Sequence, residues 1–302
     1  MSYRAPLPAQ AAALEATLGY SSVDSGTLAG LFDVRGSGST LSLKYIQYLP
    51  RWGAWEPRAS IGMDWRHYDN QVLFGGVNLA VPIGVRPITL GVHASRAAAP
   101  GESAGYAAYA QLVANVSGGK DGNTLNFIAS RAGSTPGYRL FRYGISGQFA
   151  LGGAFGGVLQ GWSLSGGLDG QITDELLASP EQFSAGGASS VRGFTSRGIG
   201  GDQGVRTQWE LTGRNWLDGS SVSIRPAFFI DAAYAKTNQP TVLERPSSSI
   251  ASAGVGLRGA WKNTVWRLDI AKAVHQRTGA APVWGRCIFR CRQRFKFRSP
   301  AP

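Results

Sequence analysis

The side chain best placed to do chemistry is a lone arginine in a loop. Arg192 lies between Val191 and Gly193 and is followed by Phe194, inside a polar, glycine-rich stretch that runs from Gln182 toward Trp209. Such a loop looks built to place one cation, whose planar fork can grip a carboxylate with two parallel hydrogen bonds. Carboxylates occur on alternating segments elsewhere. Asp64, Glu210 and Asp269 have arginines in alternation with them, which reads as a ladder of charge. Asp231 follows Phe228-Phe-Ile on a segment whose apolar residues (Val222, Ile224, Phe228, Ile230, Ala232, Tyr234) fall on one parity and Asp231 on the other. With a side-chain period of two, Asp231 therefore faces away from the apolar side.

Enzyme chemistry finds little to work with. His67, His93 and His275 are not spaced as zinc ligands, and Gly161-Trp-Ser163-Leu-Ser165-Gly166 falls short of a nucleophile elbow and sits in a strand-like pattern. No phosphate-binding loop is present. The only cysteines, Cys287 and Cys291, lie near the C-terminus, so the body offers neither a disulfide framework nor a thiolate metal site. The expectation is a protein that is not an enzyme and carries no metal or cofactor.

The elements that must position Arg192 are strands. The chain has 302 residues, of which only 16% are charged, and 42 glycines. A soluble domain would usually carry about a quarter charged residues. No apolar run approaches the ~18 residues of a membrane helix, and apolar and polar residues alternate along most of the length. Arg58 to Tyr68 sets Ala59, Ile61, Met63 and Trp65 against Arg58, Ser60, Asp64 and Arg66, a strand with lipid outside and water inside. The net charge of +12 is spread singly along such segments, except for a cluster from Arg286 to Arg298, so no nucleic-acid partner is expected.

Fourteen candidate strands follow: 3–7, 14–21, 40–49, 58–68, 74–85, 88–95, 105–116, 124–130, 138–150, 158–168, 204–214, 222–234, 250–260 and 264–272. A fifteenth, Arg286 to Phe297, has one wholly cationic face. The fold class is thus all-β, a transmembrane antiparallel barrel of about fourteen to fifteen strands over residues 1–281. A basic tail follows at 282–302, and the longest connection spans 169–203.

Val191-Arg192-Gly193-Phe194, preceded by Phe183-Ser-Ala-Gly-Gly, resembles the signature loop of two-partner secretion outer-membrane transporters, the TpsB family of haemolysin and adhesin exporters. The resemblance extends to about Ala281. It implies a sixteen-stranded barrel in the outer membrane of a Gram-negative bacterium, working as a monomer in lipid and exporting an unfolded TpsA-type protein. It also implies that the long loop folds back into the lumen and that Arg192 pairs there with Asp231. Against the family, this chain starts at the second strand, without signal sequence, plug helix or the two POTRA domains. The expectation is a truncated barrel, with a poor seam between residues 3–7 and the last strand. A general diffusion porin is the alternative; it would share the alternation but would not need Arg192 opposite Asp231.

Overall fold

A computed structural model describes residues 1–28, 32–74, 77–78, 80–96, 104–152, 157–217, 221–242, 244–277 and 286–293. The chain opens as a meander of β1 (Ser2–Leu7), β2 (Ala12–Leu28), β3 (Phe32–Tyr48) and β4 (Glu56–Phe74). Three pieces then run back along β4: β5 (Val77–Asn78), β6 (Ile83–Val85) and β7 (Pro87–Arg96). Next come β8 (Ala104–Asn115), the helix α1 (Thr124–Ser130), β9 (Arg139–Ala150) and β10 (Ser163–Ile172). The long connection carries its own small hairpin, β11 (Phe183–Ala185) and β12 (Ile199–Gly201). The sheet resumes with β13 (Gln203–Thr212), β14 (Val222–Lys236), β15 (Ser247–Trp261), β16 (Thr264–Arg277) and β17 (Arg286–Gln293). Its fifteen segments are antiparallel, and each main strand pairs with the next in the chain.

Alternation sets the two faces. On β14, Phe228 is 47% exposed and its neighbour Phe229 only 5%; Ile230 and Tyr234 point out with Phe228, while Asp231, Ala233 and Ala235 are buried with Phe229. Leu14, Leu18, Leu43, Ile61, Leu90, Val92, Leu112, Ile145, Val255 and Ile270 extend the exposed apolar band around the sheet. Such a surface suits lipid rather than water. No described helix is long and apolar enough to cross a membrane, so any crossing is made by strands. The sheet is curled: His93 of β7 and Arg267 of β16 line one and the same cavity. Among the described residues, no backbone ladder joins β1 to β17.

Two of the expected strands take a different form. Residues 74–85 do not make a separate crossing. Phe74 pairs with Val77, Tyr68 with Ile83 and Met63 with Ile88, so β5, β6 and β7 follow one register along β4. At Arg86 the strand is only interrupted between β6 and β7. Pro87 has no N–H to give, and the Arg86 N–H donates to the Asn115 side chain at 2.6 Å. Residues 124–130 are helical instead of extended. The Asn123 side chain caps α1 by accepting from the Asn126 N–H at 3.0 Å, and Phe127 is fully buried. A short apolar run leaves strand and helix undecided; here the cap and the pocket for Phe127 decide.

Successive turns at one end are short or modest, such as Trp261 to Thr264 and Leu7 to Ala12. The two longest connections, 116–138 and 173–202, leave from the other end and both pack inward. Phe127, Tyr138 and Leu177 join Ile83, Val85, Val113 and Leu140 of the wall in one buried cluster. Phe183, Ala185, Val191, Phe194 and Ile199 join Ala233, Ala235 and Ile250 in another. These loops bury their own apolar side chains in the barrel, which holds them there through loss of water contact. Residues 286–293, in the segment expected as a basic tail, pair with β16 as β17; residues 282–285 and 294–302 lie outside the described residues.

Candidate functional site

The hairpin β11–β12 lowers its tip into the lumen, and the tip carries Val191, Arg192, Gly193 and Phe194, all buried. Val191 and Phe194 flank the arginine and anchor it by packing in the cluster with Ala233 and Ile250. Alanines at 233 and 235 leave room on the wall for the loop backbone. Gly186, Gly187 and Gly193 have φ of 126°, 87° and 86°, a region that residues with a Cβ avoid. A Cβ on Gly193 would also stand 3.2 Å from that of Ala271 on β16. Gly193→Ala is therefore expected to destabilise the docked tip by about 1–3 kcal/mol, read as faster tryptic cleavage after the exposed Arg197 with the barrel's strand signal in circular dichroism unchanged.

Arg192 is 2% exposed and Asp231 is fully buried. The guanidinium grips Asp231 with both forks, Nε to Oδ2 at 2.6 Å and Nη2 to Oδ1 at 2.7 Å. Its own backbone N–H also donates to Oδ2, at 3.1 Å. Nη1 donates to Glu210 Oε2 at 2.8 Å and stands 3.7 Å from Asp269 Oδ2. Beneath it, the ring of Phe229 lies 3.5 Å from Cζ, where the negative face of an aromatic attracts a cation.

The carboxylates are shared with the wall. Arg258 Nε donates to Glu210 Oε1 at 2.7 Å, and its Nη1 lies 2.6 Å from Asp269 Oδ1. Arg267 Nε donates to Asp269 Oδ2 at 2.9 Å. Three guanidiniums thus face three carboxylates from the loop, β13, β14, β15 and β16. A buried pair is tolerable only with this degree of satisfaction, because each ion loses several kcal/mol of hydration. Two further balanced clusters line the lumen, and the first of them holds the loop through Glu181. Arg66 bridges Asp64 (2.6 Å) and the buried Glu181 (2.8 Å), with Arg142 at 3.5 Å from Glu181. Asp169 pairs with Arg206 at 2.8 Å.

Alternation showed that Asp231 faces inward and that Glu210 and Asp269 belong to a charge ladder. It gave no sign of the roles of Phe229, Arg258 and Glu181, which depend on how far strands are staggered. Nor did it mark Asp202. This fully buried residue accepts from Arg131 Nη1 at 2.6 Å and from the N–H groups of Leu177 (2.9 Å) and Asn238 (2.7 Å), tying three loops together at one mouth. Arg131 also holds Glu244, Nε to Oε1 at 2.7 Å. Partial burial raises the Glu244 pKa, but hydrogen bonds from Arg131 and the Thr241 N–H outweigh it, and the net shift is downward. A depressed carboxylate contributes stability above its unfolded pKa of ~4.3 and loses it as pH falls through the folded value. Mouth opening is thus expected only in acid, measurable as a fall in the protection factor of the Thr241 amide below about pH 4, with the factor constant above about pH 6.

Among the described residues, no cluster of His, Cys, Asp and Glu could hold a metal ion. A model of the haemolysin secretion/activation protein family ShlB/FhaC/HecB matches residues 2–259. No curated protein matches the chain in sequence. Among solved structures it is similar to CdiB from Escherichia coli, at 16% identity and a TM-score of 0.74, covering 93% of this chain and 50% of that one. CdiB from Acinetobacter baumannii gives 15% identity and 0.69, covering 94% and 47%. BamA from Haemophilus ducreyi lacking POTRA domains 1–3 gives 16% and 0.60, covering 96% and 60%. The chain thus spans about half the length of the CdiB structures it matches, and the likeness shows a shared β-barrel fold.

Proposed function

Because the chain belongs to the haemolysin secretion/activation protein family ShlB/FhaC/HecB, we propose that it forms the transport barrel of a two-partner secretion transporter. It sits in the outer membrane of a Gram-negative bacterium and passes an unfolded, adhesin-like or haemolysin-like partner through its lumen. It works as a monomer in lipid, and Val191, Arg192, Gly193, Phe194 and Asp231 are its transport motif. One observation carries this reading: a hairpin tip inside the lumen, held by a bidentate Arg192–Asp231 pair whose charges are otherwise met, among the described residues, by other wall residues. A plug centred on a buried pair within a satisfied charge network can keep the lumen shut to small solutes and still rearrange when a polypeptide competes for the space. A general diffusion porin has no use for such a plug, and the family match does not favour it.

The test is a chimera in which this chain replaces the matching barrel of Escherichia coli CdiB, assayed by protease shaving for surface display of that transporter's own secreted partner. Display that depends on both Arg192 and Asp231 is expected. Display equal in the Arg192→Ala and Asp231→Ala chimeras would remove the motif from the mechanism, and a correctly inserted chimera that displays nothing would count against export.

A further inference from the structure

We propose that the lumen carries a second, anion-binding surface, on the wall away from the loop, that receives carboxylate-bearing extended polypeptide. This rests on the export reading and names the chemistry of the segment exported. A cavity of about 520 Å³ is lined by Arg4, Glu15, Lys44, Arg58, His93 and Gln111 among others, contributed by β1, β2, β3, β4, β7 and β8. Three cations face one carboxylate.

Their partners leave the charge standing. Glu15 is the cross-strand neighbour of both Arg4 and Lys44, yet among the described residues neither comes within ion-pair distance of it. Arg4 donates to the Tyr48 hydroxyl. Arg58 Nε donates to His93 Nδ1 at 3.0 Å and its Nη2 lies 3.2 Å from Nε2, so its contact there is an imidazole and not a carboxylate. The contrast with the three clusters around the loop is chemical: those match each guanidinium with a carboxylate, and this one does not. A concave surface lined by one sign of charge focuses field and concentrates the opposite ion.

The cavity's place suits a moving chain. Arg58 is paired opposite Tyr48, close to the turn between β3 and β4. That is the end opposite the loop-filled mouth. His93 and Tyr109 line this cavity and also the one of about 640 Å³ beside Arg192. A path therefore leads from the cationic surface to the plug. An extended segment presents same-side residues every ~7 Å, and several acidic side chains could be held in turn by long, flexible cationic ones, without the fixed geometry that would stop it moving.

The experiment uses the whole purified chain in detergent and fluorescence anisotropy with labelled hexaglutamate, hexalysine and a Gly-Ser hexamer. Hexaglutamate is expected to bind, weakening as salt rises, and the other two are not. Lys44→Gln with Arg58→Gln should weaken it by at least about tenfold, equivalent to 1.4 kcal/mol, with the strand signal and loop protection unchanged. Neutralising the exposed Lys236 and Arg245, which removes equal charge away from this cavity, should leave it as it was. Equal binding by the lumen double variant, or loss on the Lys236 and Arg245 changes instead, overturns the proposal. A CdiB chimera that exports but whose barrel takes no hexaglutamate refutes this inference alone; one that binds hexaglutamate and exports nothing refutes the export reading alone.

Discussion

Replacing Asp231 with alanine is expected to free the loop tip from the lumen. The change strands Arg192, a cation that is 2% exposed, without its bidentate partner. Removing one member of a buried pair costs about 3–5 kcal/mol, comparable to what burial of Val191 and Phe194 contributes at about 1.5–3 kcal/mol each. Glu210 alone cannot compensate, because Arg258 already claims both of its oxygens. The loop should then leave its site, and trypsin should cut faster after the exposed Arg197 and newly after Arg192, which is buried in the parent. Arg192→Ala should also free the tip, read as faster cleavage after Arg197, since Asp231 would be left buried and anionic. Exchanging the two charges should restore protection only in part. An aspartate at 192 would face Glu210 and Asp269 and lose the Phe229 ring. Full protection in either alanine variant would show that apolar packing alone seats the loop.

Replacing Asp202 with alanine is expected to separate the connections at the mouth while leaving the tip seated. Asp202 is the shared acceptor for Arg131, for the Leu177 and Asn238 N–H groups and for the Gln182 side chain at 3.3 Å. Each buried donor left without a partner costs about 1–3 kcal/mol, with more for the charged one. Amide exchange at Leu177 and Asn238 should accelerate by orders of magnitude, and the helix α1, packed on Leu177 through Phe127, should lose protection with them. Asp202→Asn keeps an acceptor and gives up the charge, so it should fall between. The Arg192 site lies on other strands and should be untouched. Exchange at Leu177 unchanged in the alanine variant would mean that the apolar cluster, not the carboxylate, closes the mouth.

The two sites differ in how visible they are in the chain, and the difference is physical. Strand alternation is a local property with a period of two, so it is written in the sequence. It marked the lipid-facing band, set Asp231 inward beside Phe228 and Ile230, and made 169–203 stand out as the one long stretch without it. The glycine-rich composition of that stretch marked it as a loop, and the structure gives Gly186, Gly187 and Gly193 φ above zero. What alternation cannot carry is stagger between strands that are far apart in the chain. Arg258 meets Glu210 across β14, and Arg66 meets Glu181 from the other side of the lumen; each contact depends on how the curled sheet sets distant inward residues at one height. The same limit explains residues 74–85 and 124–130. Both are short apolar runs whose local pattern fits more than one conformation. Register along β4 settled the first, and a buried pocket for Phe127 with a cap at Asn123 settled the second. Asp202 shows the limit most clearly, since one aspartate among loop glycines carries no local mark, and only the meeting of three loops gives it four donors.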